Sequence, residues 1–321
     1  MGFSKPEKRS EGTKFLFFGE AGSGKTPTGL SFPGVALVDA DSGSNFYDMR
    51  NVLATTPALS YKQLEEDLDE LEMDEDSFKE IQTIAIDSLT RLHETLNIAM
   101  NEVAEDRAVN TGREAEAEGL SFREYGKIKT YYEKFYGRMV ALAKQAKHLV
   151  FIAEQKDKTE RTSSGEMKKI GVVPNAPKDI EFDFDVVVRT FQDKVKKDGK
   201  TQMIPKGEIL KDRTGTYQVG DIVEKPSYEN WKDAVEAALQ GKKRSKQEIK
   251  TISEAAKDEI SVVDDGDSLR KEATDYIKSF NDDQKNEAKE KLTEAIGSHR
   301  VDKVSDIKKL QKAVNILKTI K

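Results

Sequence analysis

Residues 19–26, GEAGSGKT, are the segment of this sequence with the most specific chemistry. They match G-x-x-x-x-G-K-[ST], in which glycines let backbone N–H groups surround a β-phosphate. Lys25 would reach the β- and γ-phosphates, and the Thr26 hydroxyl would be a ligand for Mg²⁺. A glycine turn that only mimics the pattern is the alternative. The segment predicts an ATP–Mg²⁺ site formed by Gly19, Glu20, Ala21, Gly22, Ser23, Gly24, Lys25 and Thr26.

Asp87 ends the apolar run TIAID and is followed by Ser88. A carboxylate at the tip of a central strand beside the phosphate loop is placed to complete the magnesium site with Thr26. The alternative is an aspartate that caps the helix predicted to begin at residue 88, and the two roles are compatible.

Asp39 and Asp41 follow another apolar run, in VALVDADSGSN (35–45). An acid at this position could orient the water that attacks a phosphate. Aspartate, serine and glycine are also the residues of ordinary turns, so a turn or a helix cap is the alternative. Asp41 is thus a candidate catalytic residue with a structural alternative.

These residues need a scaffold, and apolar runs indicate one. Continuous runs of this length are typical of strands buried on both faces, and helical patterns lie between them. Alternating strands and helices predict an α/β fold with a mostly parallel central sheet. The predicted strands are 14–18, 35–39, 81–87, 148–153 and 185–191, and the predicted helices are 25–32, 61–72, 88–105 and 121–147.

The remaining segments complete the core and predict a second, smaller domain. Residues 201–224 resemble antiparallel strands around a turn at 212–215, and 228–239 predict a helix that ends the core. Residues 268–280, 282–296 and 303–320 predict three short amphipathic helices. We therefore expect a flexible N-terminus (1–12), a core (13–240), a charged linker (241–266) and a small helical C-terminal domain (267–321).

Composition limits the classes of function. The chain has no cysteine, which excludes disulfides and thiolate metal sites and is compatible with a cytoplasmic location. We expect no membrane association, because no apolar run is long enough to cross a bilayer. Residues 1–240 carry 34 Lys and Arg against 43 Asp and Glu, whereas 241–321 carry 19 against 16. Any contact with nucleic acid is therefore expected in a loop, a channel or the tail.

The order of four motifs gives this chain a family resemblance. The phosphate loop, VDAD (38–41), IAIDSLTRL (84–92) and VFIAEQK (150–156) resemble the RecA-like P-loop NTPase core. The chain is most similar to phage-encoded RecA-like ATPases of the single-strand-annealing and recombination type, a group also described as phage nucleotide-binding or AAA-family proteins. EFDFDVVVRTF (181–191) and LKDRTGTY (210–217) resemble later parts of the same pattern, which covers about residues 13–240.

The resemblance implies roles for several residues. Asp41 occupies the place of a catalytic carboxylate that is usually glutamate, and either Glu154 or Gln155 would sense the γ-phosphate. Lys211 and Arg213 resemble a Lys-x-Arg pair that reaches the nucleotide of a neighbouring subunit. A solvated turn with two surface cations is the alternative for that pair.

The resemblance also implies two DNA-facing loops, at about 106–122 and 156–178. Mobile loops with positive charge suit the phosphate backbone of single-stranded DNA. An ordinary solvated surface is the alternative. The candidate DNA-binding residues of the second loop are Lys156, Lys158, Arg161, Lys168 and Lys169.

Taken with the resemblance, the sequence predicts an ATPase, oligomeric as a ring or filament, that binds single-stranded DNA and promotes annealing or strand pairing. The C-terminal helices are candidates for binding a single-strand-binding protein. One rival is a nucleotide-gated scaffold or loader with poor turnover. The other is a P-loop kinase for a small molecule, for which the sequence offers no convincing lid.

Overall fold

The computed structural model describes residues 5–112, 119–163, 165–197, 200–245, 248–249, 254, 269–304 and 306–320. The chain forms two compact units, Met1–Lys250 and Thr251–Lys321. Among the described residues, no helix is long and apolar enough to cross a membrane.

The larger unit is built on one sheet, whose strand order is β3-β2-β4-β5-β1-β7-β8-β9, with β6 paired to β5. The first six strands of that order are parallel, whereas β8, β9 and β6 join antiparallel. The strands are β1 (Lys14–Gly19), β2 (Val35–Asp39), β3 (Val52–Thr56), β4 (Thr83–Asp87), β5 (His148–Arg161), β6 (Met167–Pro174), β7 (Val186–Lys197), β8 (Lys200–Asp212) and β9 (Ile222–Glu224).

Helices cover both faces of this sheet, because its central strands are apolar on both sides. In β1, every residue after Lys14 is buried. Buried residues of α2, α4 and α5 share one core cluster with the sheet, and those of α1 and α6 share another. The helices are α1 (Lys25–Leu30), α2 (Tyr61–Met73), α3 (Glu75–Glu80), α4 (Leu89–Asn110), α5 (Phe122–Lys144) and α6 (Lys232–Leu239). This arrangement confirms the predicted α/β fold with a RecA-like core.

The parallel strands give the sheet two distinct edges. We call the edge where β1, β2 and β4 end the carboxyl edge; it carries Gly19, Asp39 and Asp87. The edge where the same strands begin is the amino edge. β2 pairs with β4, β4 with β5, and β5 with β1, so the ends of β1, β2 and β4 lie along the same edge.

One predicted feature differs in the structure, and two elements of the structure were not predicted. The segment 156–178, predicted as a mobile loop, instead forms most of a β-hairpin, because β5 continues to Arg161 and turns back as β6. The strand β3 and the helix α3 were not predicted. The residues of β3 alternate between half-buried and exposed, as expected for an outermost strand that has a neighbour on one side alone.

Part of the N-terminal segment predicted to be flexible is held against the core. The backbone N–H groups of Ser10 and Glu11 donate to the carbonyls of Lys242 and Ala238, and Arg244 pairs with Glu11 at 2.8 Å. Residues 1–4 and most of the predicted linker, 246–247, 250–253 and 255–266, lie outside the described residues.

The smaller unit contains three helices at the predicted places: α7 (269–279), α8 (Asp282–Ile296) and α9 (Ile307–Leu317). Their apolar faces form a separate core that includes Leu292, Ile296 and Leu317. The helix α8 ends at Gly297, whose φ of 77° is the left-handed conformation that glycine adopts without strain.

Candidate nucleotide-binding site

The phosphate loop connects the end of β1 with the start of α1 at the carboxyl edge. Gly22 and Gly24 have φ angles of 72° and 91°, which place them in the left-handed region. Gly19 needs to be glycine for another reason, since a Cβ there would lie 2.1 Å from the carbonyl oxygen of Thr190. The local sequence thus fixes a cradle of backbone N–H groups that fits a phosphate chain.

Lys25 folds back over this loop. Its Nζ donates to the carbonyl of Gly19 at 3.1 Å and to that of Glu20 at 2.7 Å. Burial lowers the pKa of Lys25, and the negative charges of Asp87 and Glu154 oppose that shift. These carbonyl contacts can be exchanged for phosphate oxygens, which are better partners for an ammonium group.

Thr26 and Asp87 lie together, as predicted for a magnesium site. The Thr26 hydroxyl donates to Asp87 Oδ2 at 2.5 Å, and Asp87 is buried. Burial raises the pKa of Asp87 to about 6, with help from the nearby charges of Asp41 and Asp39. A hydroxyl and a carboxylate beside a phosphate cradle are the hard oxygen ligands that Mg²⁺ takes at nucleotide sites. The residues present therefore fit that ion.

The capping alternative for Asp87 is wrong, because the cap of α4 is Ser88. The Ser88 side chain accepts a hydrogen bond from the Arg91 backbone N–H. Asp87 therefore remains at the end of β4, where its side chain contacts Thr26.

Asp39 and Asp41 have different environments. Asp39 accepts from the N–H of Gly43 and from both the N–H and hydroxyl of Ser44, so it shapes the turn after β2. Asp41 instead accepts from Arg91 Nε at 2.7 Å and from the Ser88 hydroxyl at 3.1 Å. Of the two acids, Asp41 has the side chain that faces the start of α4.

Glu154 and Gln155 both lie near the phosphate loop. Glu154 is in register with Gly19, and its charge acts on Lys25. The Gln155 amide donates to Glu20 Oε1 at 3.2 Å. The geometry leaves both residues as candidates for sensing a γ-phosphate.

Lys211 and Arg213 are not brought to the phosphate loop of their own subunit. Lys211 is in register with Val187, at the amino edge, whereas the phosphate loop lies beside Thr190. Lys211 Nζ donates to the carbonyls of Glu181 and Phe182, and Arg213 lies 3.6 Å from Asp185. Neither side chain contacts the phosphate loop of its own subunit, and the role across an interface stays a prediction.

Two contacts from β7 hold the phosphate loop and were not predicted. The hydroxyls of Ser23 and Thr190 lie 2.7 Å apart in a buried position. The Gln192 amide donates to the carbonyl of Gly22 at 2.6 Å. No local pattern marks these residues, because their role depends on the pairing of β7 with β1.

The five candidate DNA-binding cations all lie on the β5–β6 hairpin, and all are exposed. Lys169 pairs with Asp157 at 2.6 Å, and Arg161 Nε donates to the carbonyl of Gly165. The other three cations are Lys156, Lys158 and Lys168. Of the first predicted DNA loop, residues 113–118 lie outside the described residues.

Comparison with known proteins agrees with this geometry. A family model described as an AAA domain matches residues 11–214, which is more than half of the chain and contains the whole phosphate site. The search of curated proteins finds no match. The chain therefore belongs to the AAA domain family, an AAA-type family of P-loop ATPase-like proteins.

Proposed function

We propose that this protein binds ATP with Mg²⁺ and hydrolyses it. The observation that carries the proposal is the 2.5 Å contact between Thr26 and Asp87 beside the glycine cradle and Lys25. Lys25 would stabilise charge on the β- and γ-phosphates, and Thr26 and Asp87 would hold Mg²⁺. The ion, when bound, neutralises charge that develops on the phosphate oxygens.

Asp41 is the residue that we assign to the attacking water. In hydrolysis, water attacks the γ-phosphorus, the bond to the β–γ bridging oxygen breaks, and ADP leaves. A carboxylate that accepts a hydrogen bond from that water aligns it and takes its proton. Asp41 lies close enough to act electrostatically on both Lys25 and Asp87, which supports this assignment.

We further propose that the β5–β6 hairpin binds single-stranded DNA and that the protein serves phage-type DNA recombination, by annealing or strand pairing. Five cations on the hairpin outnumber Asp157, Glu160 and Glu166 on an otherwise acidic unit. A positive arm of this kind suits a phosphate backbone. At its base, Gln155 contacts Glu20 of the phosphate loop, which supports communication between DNA and nucleotide.

Two further partners belong to this proposal. A homo-oligomer, ring or filament, would bring Lys211 and Arg213 of one subunit to the nucleotide of the next. The C-terminal unit would bind a single-strand-binding protein. Its separate core makes it suited to act as an independent docking module.

The test is the ATPase rate with and without single-stranded DNA, together with oligomer size at each protein concentration. We expect hydrolysis that rises with DNA, and a Lys25→Ala variant that is folded but inactive. Hydrolysis without any DNA effect would favour the nucleotide-gated scaffold or the kinase. Wild-type turnover by Lys25→Ala would overturn the nucleotide site.

A further inference from the structure

The Asp41 carboxylate is held from two sides by the start of α4. Arg91 Nε donates to one oxygen at 2.7 Å, and the Ser88 hydroxyl donates to the other at 3.1 Å. Asp41 lies in the turn that directly follows β2, and it is not itself part of a strand or helix. Its carboxylate is therefore fixed by α4 and not by its own backbone.

Arg91 has a second partner, which leads to the β5–β6 hairpin. Its other nitrogen, Nη1, donates to Glu94 Oε2 at 2.9 Å. The opposite oxygen of Glu94 accepts from the Asn175 side-chain amide at 3.3 Å. Asn175 directly follows β6, so a chain of polar contacts connects Asp41 with the end of the hairpin.

The base of the hairpin is attached to the same turn of α4. The buried Thr90 hydroxyl donates to the carbonyl of Asn175 at 2.8 Å and accepts from the Glu154 N–H at 2.9 Å. The two legs of the hairpin are joined there, since the Asn175 N–H donates to the carbonyl of Glu154 at 2.7 Å. The start of α4 thus contacts both the base of the hairpin and the Asp41 carboxylate.

We propose that Arg91 is a positioning residue: it holds the Asp41 carboxylate at the carboxyl edge of the sheet. Through Glu94 and Asn175, it also connects that carboxylate to the base of the β5–β6 hairpin. The inference rests on the proposed ATP hydrolysis. A reacting group misplaced by about 1 Å loses about 10²-fold in rate.

The test is a double-mutant cycle on steady-state ATP hydrolysis without DNA. We expect Arg91→Met to lower kcat by about 10- to 10²-fold and to leave KM for ATP unchanged. Combined with Asp41→Asn, it should cause no further loss, because both changes remove the same positioned carboxylate. Arg91→Lys, which keeps the charge but not the fork of donors, should recover part of kcat.

The matched control is Arg50→Met. Arg50 pairs with Asp48 at 2.6 Å on the surface, so this variant removes a similar exposed ion pair and should keep wild-type kcat. Multiplicative losses in the Arg91→Met/Asp41→Asn protein, or wild-type kcat in Arg91→Met, would overturn the inference. If the wild-type protein hydrolyses no ATP, the proposed function fails first, and the inference fails with it.

Asn175→Ala tests the connection to the hairpin. It removes the side-chain contact with Glu94 and keeps both backbone contacts of residue 175. We expect a severalfold loss of kcat in the wild-type background and none in Asp41→Asn. Asn101→Ala, at an exposed position of α4, is the control. Wild-type kcat in Asn175→Ala would show that Arg91 acts without the hairpin.

Discussion

Asp87 is a buried carboxylate at the proposed magnesium site. It must be ionised to hold Mg²⁺, yet burial raises its pKa to about 6. Because this value lies above the unfolded pKa of 3.8, the folded protein binds the proton more tightly. The contribution of Asp87 to stability is therefore greatest below about pH 4 and falls as the pH rises through 6.

Asp87→Asn should for this reason stabilise the protein in the absence of nucleotide and Mg²⁺. Above pH 6 the gain in the free energy of unfolding should be on the order of 1–3 kcal/mol, and it should vanish near pH 4. Denaturant unfolding at both pH values measures it. Mg²⁺ and ATP should reverse the order, because the variant has lost a metal ligand; a gain that persists at pH 4 would contradict this account.

The residues of the site differ in how far the sequence predicts them. Lys25, Thr26 and Asp87 follow from short motifs, because the chemistry of a phosphate loop demands particular residues at fixed spacing. Arg91 contacts Asp41, which is 50 positions away in the sequence. Thr190 contacts Ser23, which is 167 positions away. Contacts of that range depend on strand pairing, which no local pattern contains.

The strand β7 contacts the phosphate loop and supports it. Thr190 and Ser23 are both buried; the Thr190 hydroxyl lies 2.7 Å from the Ser23 hydroxyl and donates to the Phe18 carbonyl at 3.3 Å. Thr190→Val, which keeps the shape, should lower the free energy of unfolding by about 1–3 kcal/mol, because it leaves the Ser23 hydroxyl without this partner. The combined Thr190→Val/Ser23→Ala protein should recover part of that loss, since only the Phe18 carbonyl then lacks its hydroxyl partner. Equal stability of the single variant and the wild type would contradict the role.

The β5–β6 hairpin allows a test of its predicted DNA role. Lys168→Glu/Lys169→Glu should weaken single-stranded DNA binding and flatten its dependence on salt by about 0.7 in logarithmic slope for each lost phosphate contact. ATP affinity without DNA should not change. Lys62→Glu/Lys79→Glu, on α2 and α3, is the control with the same change of net charge. An unaltered salt slope in the hairpin variant would leave these lysines as solvated surface.

Strands with a continuous apolar sequence were predicted, whereas the second half of β5 was not. Residues such as 148–153 are buried on both faces, and that burial is written in their composition. The continuation of β5 is largely exposed and carries alternating charges, which equally fit a loop. Pairing with β6 makes this segment a strand, and that pairing is not visible in the segment itself.

The carboxyl and amino edges of the sheet suit a head-to-tail assembly of subunits. The phosphate loop occupies the carboxyl edge, whereas Lys211 and Arg213 lie at the amino edge. A heterologous interface places one edge of a subunit against the opposite edge of the next, which forms a ring or a filament. Arg213 is the better candidate for reaching a neighbour, since its side chain is 58% exposed, while Lys211 is engaged with the carbonyls of residues 181 and 182.

Mixing two inactive variants tests this assembly and the role of Arg213 together. Arg213→Ala should bind ATP but hydrolyse it slowly, since an arginine supplied in trans contributes about 10³–10⁵ in rate. Lys25→Ala lacks a working phosphate loop but keeps Arg213. In a mixture, some interfaces pair an intact loop with an intact arginine, so activity should return in part and rise with protein concentration.

The control is a chain that carries both substitutions. Mixed with either single variant, it forms no interface with both parts intact, so the mixture should stay inactive. If the two single variants co-assemble, as judged by size, and their mixture is still inactive, then Arg213 does not act across an interface. Its exposed side chain near Asp185 would then be that of an ordinary surface turn, and the head-to-tail geometry would need another contact to support it.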